Sequence, residues 1–290
     1  MRMKITVIGG TRFIGAYVVR QLHSYGHQVQ IFHRGQHELG LPAGVGHVHS
    51  PMAAMPVTQF SEELRRWSPD VVIHMIAMGE ADARAAVEFF EGAARRIVVV
   101  SSGDVYLAYG RFTGLEPGPV VPCPLTEESP LRTVLYPYRK QANLETDLVW
   151  SYEKILVERA VRESSMESVI LRLPKVYGRE ENADLKTVYA FRDHPQWRWT
   201  HGYVENVAAA IALAALHPAA AGGIYNVGEE VTPTIAERLA GLPESNVATP
   251  SDAAMNFEQD IAYDTSRIRR ELGFREIVSY EEGLRRTLRG

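Results

Sequence analysis

Apolar positions along the chain fall into two alternating patterns. Short β-branched runs predict buried strands: KITVIG (4–9), QVQIFH (28–33), DVVIHMIA (70–77), RIVVVSS (96–102) and SVILRLP (168–174). Amphipathic stretches lie between them. Ile14, Val18 and Leu22, spaced at i, i+4 and i+8, mark one stripe of a helix. Strands alternating with helices predict an α/β fold, a doubly wound parallel sheet of the Rossmann type. No internal repeat and no low-complexity segment interrupts it.

Two regions depart from this rhythm. Residues 107–138 are rich in Pro, Gly and Tyr and predict a long loop, of the kind that serves as a lid or binding segment. From about Leu173 onward, short helices and strands surround GYVENVAAAIALAAL (202–216) and YNVG (225–228), which predicts a smaller lobe over the carboxyl edge of the sheet. The expected division is a dinucleotide-binding domain over 1–172 and a substrate-binding lobe over 173–290, interleaved with the last sheet strands.

Composition narrows the class. The chain has 290 residues, 46% hydrophobic and 23% charged, enough for a core that needs no disulfides. Its one cysteine, Cys123, cannot pair within the chain and fits a reducing cytoplasm. The net charge of -4 offers no electrostatic footprint for nucleic acid. The apolar stretch in MRMKITVIGG is too short for a signal peptide, and no run approaches the ~20 residues of a membrane span. A cytoplasmic protein with a small-molecule partner, and with neither membrane nor nucleic acid, is expected.

The clearest candidate chemistry is GGTRFIG (9–15), which follows a strand and opens a helix. In that context Gly9 and Gly10 allow a tight turn, and Gly15 lets helix and strand approach closely. Thr11, Arg12, Phe13 and Ile14 complete a cradle whose helix N-terminus offers unpaired N–H groups to a pyrophosphate. Arg12 stands where such cradles usually carry a glycine, so its side chain is expected to point away from the phosphates. The second strand ends in His33-Arg34-Gly35, without the acid that would hold the ribose hydroxyls of NAD. Guanidinium groups suit a 2′-phosphate, so NADP is expected, with NAD as the alternative. The plainer reading leaves Arg12 and Arg34 as solvated surface residues.

Further motifs follow in a fixed order: SSGDVY (101–106), EKILVE (153–158), RLPKVYG (172–178), GYVENVA (202–208), YNVG (225–228) and DTSRIRRELGF (264–274). Together with the cradle, the chain resembles an extended short-chain dehydrogenase/reductase of the NAD-dependent epimerase/dehydratase family. The arginine variant of the cradle also resembles a divergent branch that includes chloroplast stem-loop RNA-binding relatives.

The resemblance implies hydride exchange between a substrate carbon and a nicotinamide, assisted by a Tyr-x-x-x-Lys pair on one helix face and by a serine. It assigns the lysine to Lys154 and the serine to Ser102. Four residues before Lys154 stands Trp150, whose indole has no titratable hydroxyl. Tyr152 lies two residues before Lys154, roughly 200° around the helix, and is expected to face elsewhere. Tyr138 could reach in from the long loop, and Tyr136 with Lys140 has the right spacing around Pro137; packing aromatics are the plainer reading of both tyrosines. Asp104 matches the acid of dehydratase members and could supply proton transfer, or could simply form an Asx turn.

The resemblance further implies a substrate contact for Lys175, which suggests an anionic group on the substrate or a partner in Asp104 or Glu180. Ala77, Ser50 and Leu173 are implied along the cofactor. His74 reads as a packed histidine. His47 and His49 alternate on a strand without a third ligand at metal spacing, so no metal is expected. Two functions stay open. One is an NAD(P)-dependent epimerase, dehydratase or reductase acting on a sugar nucleotide or a related hydroxylated or anionic metabolite. The other is a catalytically atypical nucleotide-binding module. Family members dimerise through helices corresponding to 82–94 and 146–163; here Val87, Phe89, Phe90, Val149, Ile155 and Leu156 could form a homodimer face or pack on their own sheet.

Overall fold

A computed structural model describes residues 2–35, 40–52, 55–183, 185–249 and 255–288. Its strands are β1 (Lys4–Ile8), β2 (Gln28–His33), β3 (Gly46–His49), β4 (Val71–His74), β5 (Arg96–Ser102), β6 (Glu167–Leu173), β7 (Lys175–Tyr177), β8 (His201–Tyr203) and β9 (Ile224–Asn226). Seven of them form one parallel sheet in the order β3-β2-β1-β4-β5-β6-β9, and β7 pairs with β8 in a separate two-stranded sheet. The doubly wound sheet read from the sequence is therefore present, with its order reversing between β1 and β4. Ligands of open α/β sheets bind at such a switch point.

The helices are α1 (Phe13–Ser24), α2 (Glu62–Arg66), α3 (Glu80–Phe90), α4 (Leu107–Phe112), α5 (Leu148–Ser151), α6 (Lys154–Arg162), α7 (Lys186–Tyr189), α8 (Val204–Leu216), α9 (Ile235–Ala240), α10 (Ser266–Leu272) and α11 (Tyr280–Leu288). Side chains alternate across β5. Val98 and Val100 join a core with Val18 and Leu22 of α1 and Ile211 of α8, while Ile97 and Val99 join one with Phe90 of α3 and Val157 of α6. Each such buried aliphatic side chain contributes roughly 1.5–3 kcal/mol.

The expected helix face is met by Val18 and Leu22, both fully buried. Two strand ranges shrink. β1 ends at Ile8 and β4 at His74, because the chain turns into the ligand edge there. The long loop is also corrected: 107–138 begins with α4, whose Phe112 stacks on Trp197 at 4.6 Å. With Val105, Tyr106, Leu125, Ile261 and Tyr263 it forms a third core. Proline and glycine content concealed this apolar anchoring. Phe90 and Ile155 are buried within the chain, and α3 packs on α6.

Candidate active site

At the end of β1 the chain turns through Gly9, at φ +88°, into α1. A Cβ on Gly15 would lie 2.4 Å from the Gly9 carbonyl oxygen, so helix and turn cross too closely for any side chain. Arg12 is the N-cap of α1 in extended conformation, and no side chain caps the helix. The first N–H groups of α1 thus stay available, as the cradle requires.

A cavity of about 590 Å³ opens over this turn. Gly9, Thr11, Arg12, Phe13, Ile14 and Gly15 line it on one side, with His33, Arg34 and Ser50 beyond the end of β2. Arg12 is exposed and is among the residues that line the cavity. Met55, Val57, Met75, Ile76 and Met78, which the sequence did not single out, supply apolar walls. The close crossing at Gly15, the uncapped helix and the cavity's size fit a dinucleotide.

His33 is buried and fixed at both ring nitrogens. Nδ1 accepts the Gly35 N–H at 3.1 Å, and Nε2 lies 3.0 Å from His47 Nδ1. Because Nδ1 accepts, His33 presents its ring proton to His47 in this arrangement. Arg34 is exposed on the same wall. The Ser50 hydroxyl accepts the Met52 N–H at 3.1 Å, which turns the chain after β3. Among the described residues, no group of three His, Cys, Asp or Glu side chains could hold a metal ion.

The second cavity, about 220 Å³, lies farther along β5. Val100 lines the larger cavity and Ser102, on the same strand face, lines the smaller. Leu173, beside Ser102 in the sheet, also lines the smaller cavity, whereas Ala77 is fully buried and presents its carbonyl to Lys154. Lys175, Tyr109, Trp199 and Tyr263 complete the walls together with Asp104, Tyr138 and Tyr152. A Cβ on Gly103 would fall 1.3 Å from the Tyr263 hydroxyl, which explains the glycine in SSGDVY.

The structure overturns the expected orientation of Tyr152. The helix assumed to run through 150–154 is broken: α5 ends at Ser151, Tyr152 and Glu153 are extended, and α6 begins at Lys154. Glu153 causes the break. Its Oε1 accepts the Ile155 N–H at 2.9 Å as N-cap and meets buried Arg132 at 3.1 Å, while Oε2 accepts the Tyr136 N–H at 2.5 Å. The 100°-per-residue argument therefore does not apply across 152–154. Tyr152 turns into the cavity, with Lys154 Nζ 5.5 Å from its ring.

Its hydroxyl donates to Asp104 Oδ2 at 2.9 Å, and the Tyr138 hydroxyl donates to the same oxygen at 2.9 Å. Tyr138 thus reaches in from the loop rather than merely packing. Tyr136 does not. Its ring and that of Trp150 lie 3.6 and 4.9 Å from the Arg139 guanidinium, and Lys140 is exposed. Trp150 also accepts a hydrogen bond from Arg139 through its carbonyl at 3.0 Å, a structural role outside the cavity.

Asp104 is not a simple Asx turn; instead its own N–H donates to Ser102 Oγ at 3.3 Å. Burial pushes its carboxyl pKa up, opposed first by Arg132 and then by the two tyrosines. Lys154 is fully buried and donates to the Ala77 and Val100 carbonyls. Burial lowers its pKa to about 8 against the pull of Asp104, Asp82 and Glu158. Burial, then Asp104, raises the Tyr152 phenol well above its usual range. His74 is packed, as expected. It is fully buried, neither ring nitrogen has a hydrogen-bond partner among the described residues, and burial lowers its pKa to about 3.

Residues 5–109 match the model of the NAD dependent epimerase/dehydratase family. An uncharacterised protein of Sinorhizobium fredii, y4nL, is 26% identical over 183 residues, 47% of this chain and 51% of that protein; the match spans about half the relative's length.

The fold extends over the whole chain. Epimerase Mth375 of Methanothermobacter thermautotrophicus superposes with a TM-score of 0.70 at 19% identity, covering 99% of this chain and 91% of that one. The Bordetella bronchiseptica enzyme WbmG, in complex with NAD and UDP, gives 0.69 at 16% identity, covering 100% and 94%. UDP-glucose 4-epimerase of Thermus thermophilus, in complex with NAD, gives 0.67 at 20% identity, covering 99% and 98%. No helix of the described residues is long and apolar enough to cross a membrane.

Proposed function

We propose that the protein is an NAD(P)-dependent oxidoreductase of the epimerase/dehydratase type that acts on a hydroxylated, anionic metabolite such as a sugar nucleotide. The observation that carries this reading is the convergence of Ser102, Tyr152 and Lys154 at the ends of β5 and α6, next to the larger cavity. When bound there, a nicotinamide would serve as a two-electron donor or acceptor. Gly9, Thr11, Arg12 and Gly15 would hold the pyrophosphate, and Arg34 the adenosine ribose, with His33 packed along the same wall.

Lys154 fastens the chain after β4 to β5 by donating to the Ala77 and Val100 carbonyls. Ser102 lies within the smaller cavity with a hydroxyl able to hold a substrate oxygen. Tyr152 supplies the phenol that Trp150 lacks. Lys175 offers a cation to an anionic substituent of the substrate. Arg34 lines the cavity beyond the end of β2, where a guanidinium suits the 2′-phosphate of NADP better than the bare ribose of NAD.

The test is calorimetric titration of the purified protein with NADP and NAD, followed by absorbance at the nicotinamide band over a panel of sugar nucleotides and hydroxy acids. Binding followed by substrate-dependent change supports the reading. Binding without turnover on the panel favours the atypical nucleotide-binding module, and binding of neither cofactor contradicts both.

A further inference from the structure

We propose that Asp104 is the proton terminus of the reacting centre and that Tyr152 passes protons between it and the substrate. The inference rests on the oxidoreductase reading and specifies how the proton moves. Two phenols, Tyr138 and Tyr152, donate to one carboxylate oxygen, each at 2.9 Å. A phenol carries one proton, so the 3.2 Å contact between Tyr138 and Tyr109 is filled by the proton of Tyr109.

Asp104 lines the cavity together with these phenols but is the most enclosed of the three. Asp104 is 4% exposed, whereas Tyr138 and Tyr152 are only half-buried. The half-buried phenols present more surface to a substrate hydroxyl than the carboxylate does. Of the two phenols, Tyr152 is the one beside Lys154 and Ser102. Arg132 fixes the carboxylate's backbone by donating to the Asp104 carbonyl. Oδ1 has no hydrogen-bond partner among the described residues, which leaves the buried charge incompletely satisfied. Taking up a proton removes that charge.

The step balances. As the substrate's O–H bond breaks, its proton bonds to Tyr152 Oη, and the proton that Tyr152 carried bonds to Asp104 Oδ2. A bound nicotinamide would supply the acceptor for the hydrogen and bonding pair that the alcohol carbon gives up as C–O becomes C=O, and Asp104 ends as a carboxylic acid. Reduction reverses each transfer. Tyr152 never stands alone as a phenolate, consistent with the burial and the neighbouring carboxylate that hold its proton in place.

Two measurements test the relay. In protein labelled with ¹³C at the aspartate carboxyls, the Asp104 signal should titrate above the ordinary carboxylate range, and Tyr152→Phe should move it further up by removing a donor. In turnover, Asp104→Asn and Tyr152→Phe should each lower kcat by about 100-fold or more, with the cofactor Kd held within about threefold. The double variant should be no slower than the worse single one, since both interrupt one path. An Asp104 carboxyl that titrates normally and ignores Tyr152→Phe overturns the relay. So does an Asp104→Asn enzyme that keeps its kcat, although that leaves the oxidoreductase reading intact. Wild-type protein that binds no nicotinamide cofactor overturns that reading, and the relay with it.

Discussion

The Glu153 carboxylate meets the Arg132 guanidinium at 3.1 Å with both side chains fully buried. Glu153 ends the short turn of α5 and starts α6, while Arg132 ties the 107–138 segment to Asp104. Removing one partner of a buried pair strands a charge and costs about 3–5 kcal/mol. Arg132→Met should therefore lower the unfolding free energy, read from a lower urea midpoint at unchanged slope, by an amount of that size and weaken the Tyr152–Asp104 contact. An unchanged midpoint would mean that the pair does not organise the site.

Arg34 is expected to set cofactor preference. Arg34→Ala should weaken NADP by about tenfold or more, as the loss of one charge-assisted contact implies, and leave NAD little changed. Calorimetry with each cofactor reads this directly. Equal losses for both would remove the case for a 2′-phosphate site.

Gly15→Ala places a methyl against the Gly9 carbonyl oxygen, with no flexible side chain to give way. The backbone of the cradle must move, so both cofactors should lose affinity together. Unaltered binding of the variant would show that the phosphates lie elsewhere.

His74 makes stability acid-sensitive. Its pKa falls from 6.5 to about 3 on burial, so between those values the unfolded chain binds the extra proton. The contribution of neutral His74 is present above 6.5 and is lost as pH falls toward 3, by up to about 1.4 kcal/mol per pH unit. Denaturation of wild type and His74→Gln at pH 7 and 4.5 should show a larger loss for wild type. Parallel losses would contradict the assignment.

The fold was legible because its signals are local. Strand and helix periods, the glycine turn and the serine at the end of β5 each need only a few consecutive residues. Tyr152 was not legible in the same way. Its orientation depends on Glu153 choosing a cap and a buried arginine 21 residues earlier, a long-range choice that helical spacing cannot encode. The same holds for α4 in the 107–138 segment, where tertiary contacts of Phe112 outweigh the glycines and prolines around it. Tyr109, Trp199 and Tyr263 carry no motif of their own; they reach the cavity only because separate segments of the chain meet there.

The central claim is that the cradle from Gly9 to Gly15 holds a nicotinamide dinucleotide. Isothermal titration of the purified chain with NADP and NAD tests it most directly. Saturable binding at one site per chain, tighter for NADP and weakened by Gly15→Ala, is expected. Absence of binding by either cofactor to folded wild-type protein would contradict it.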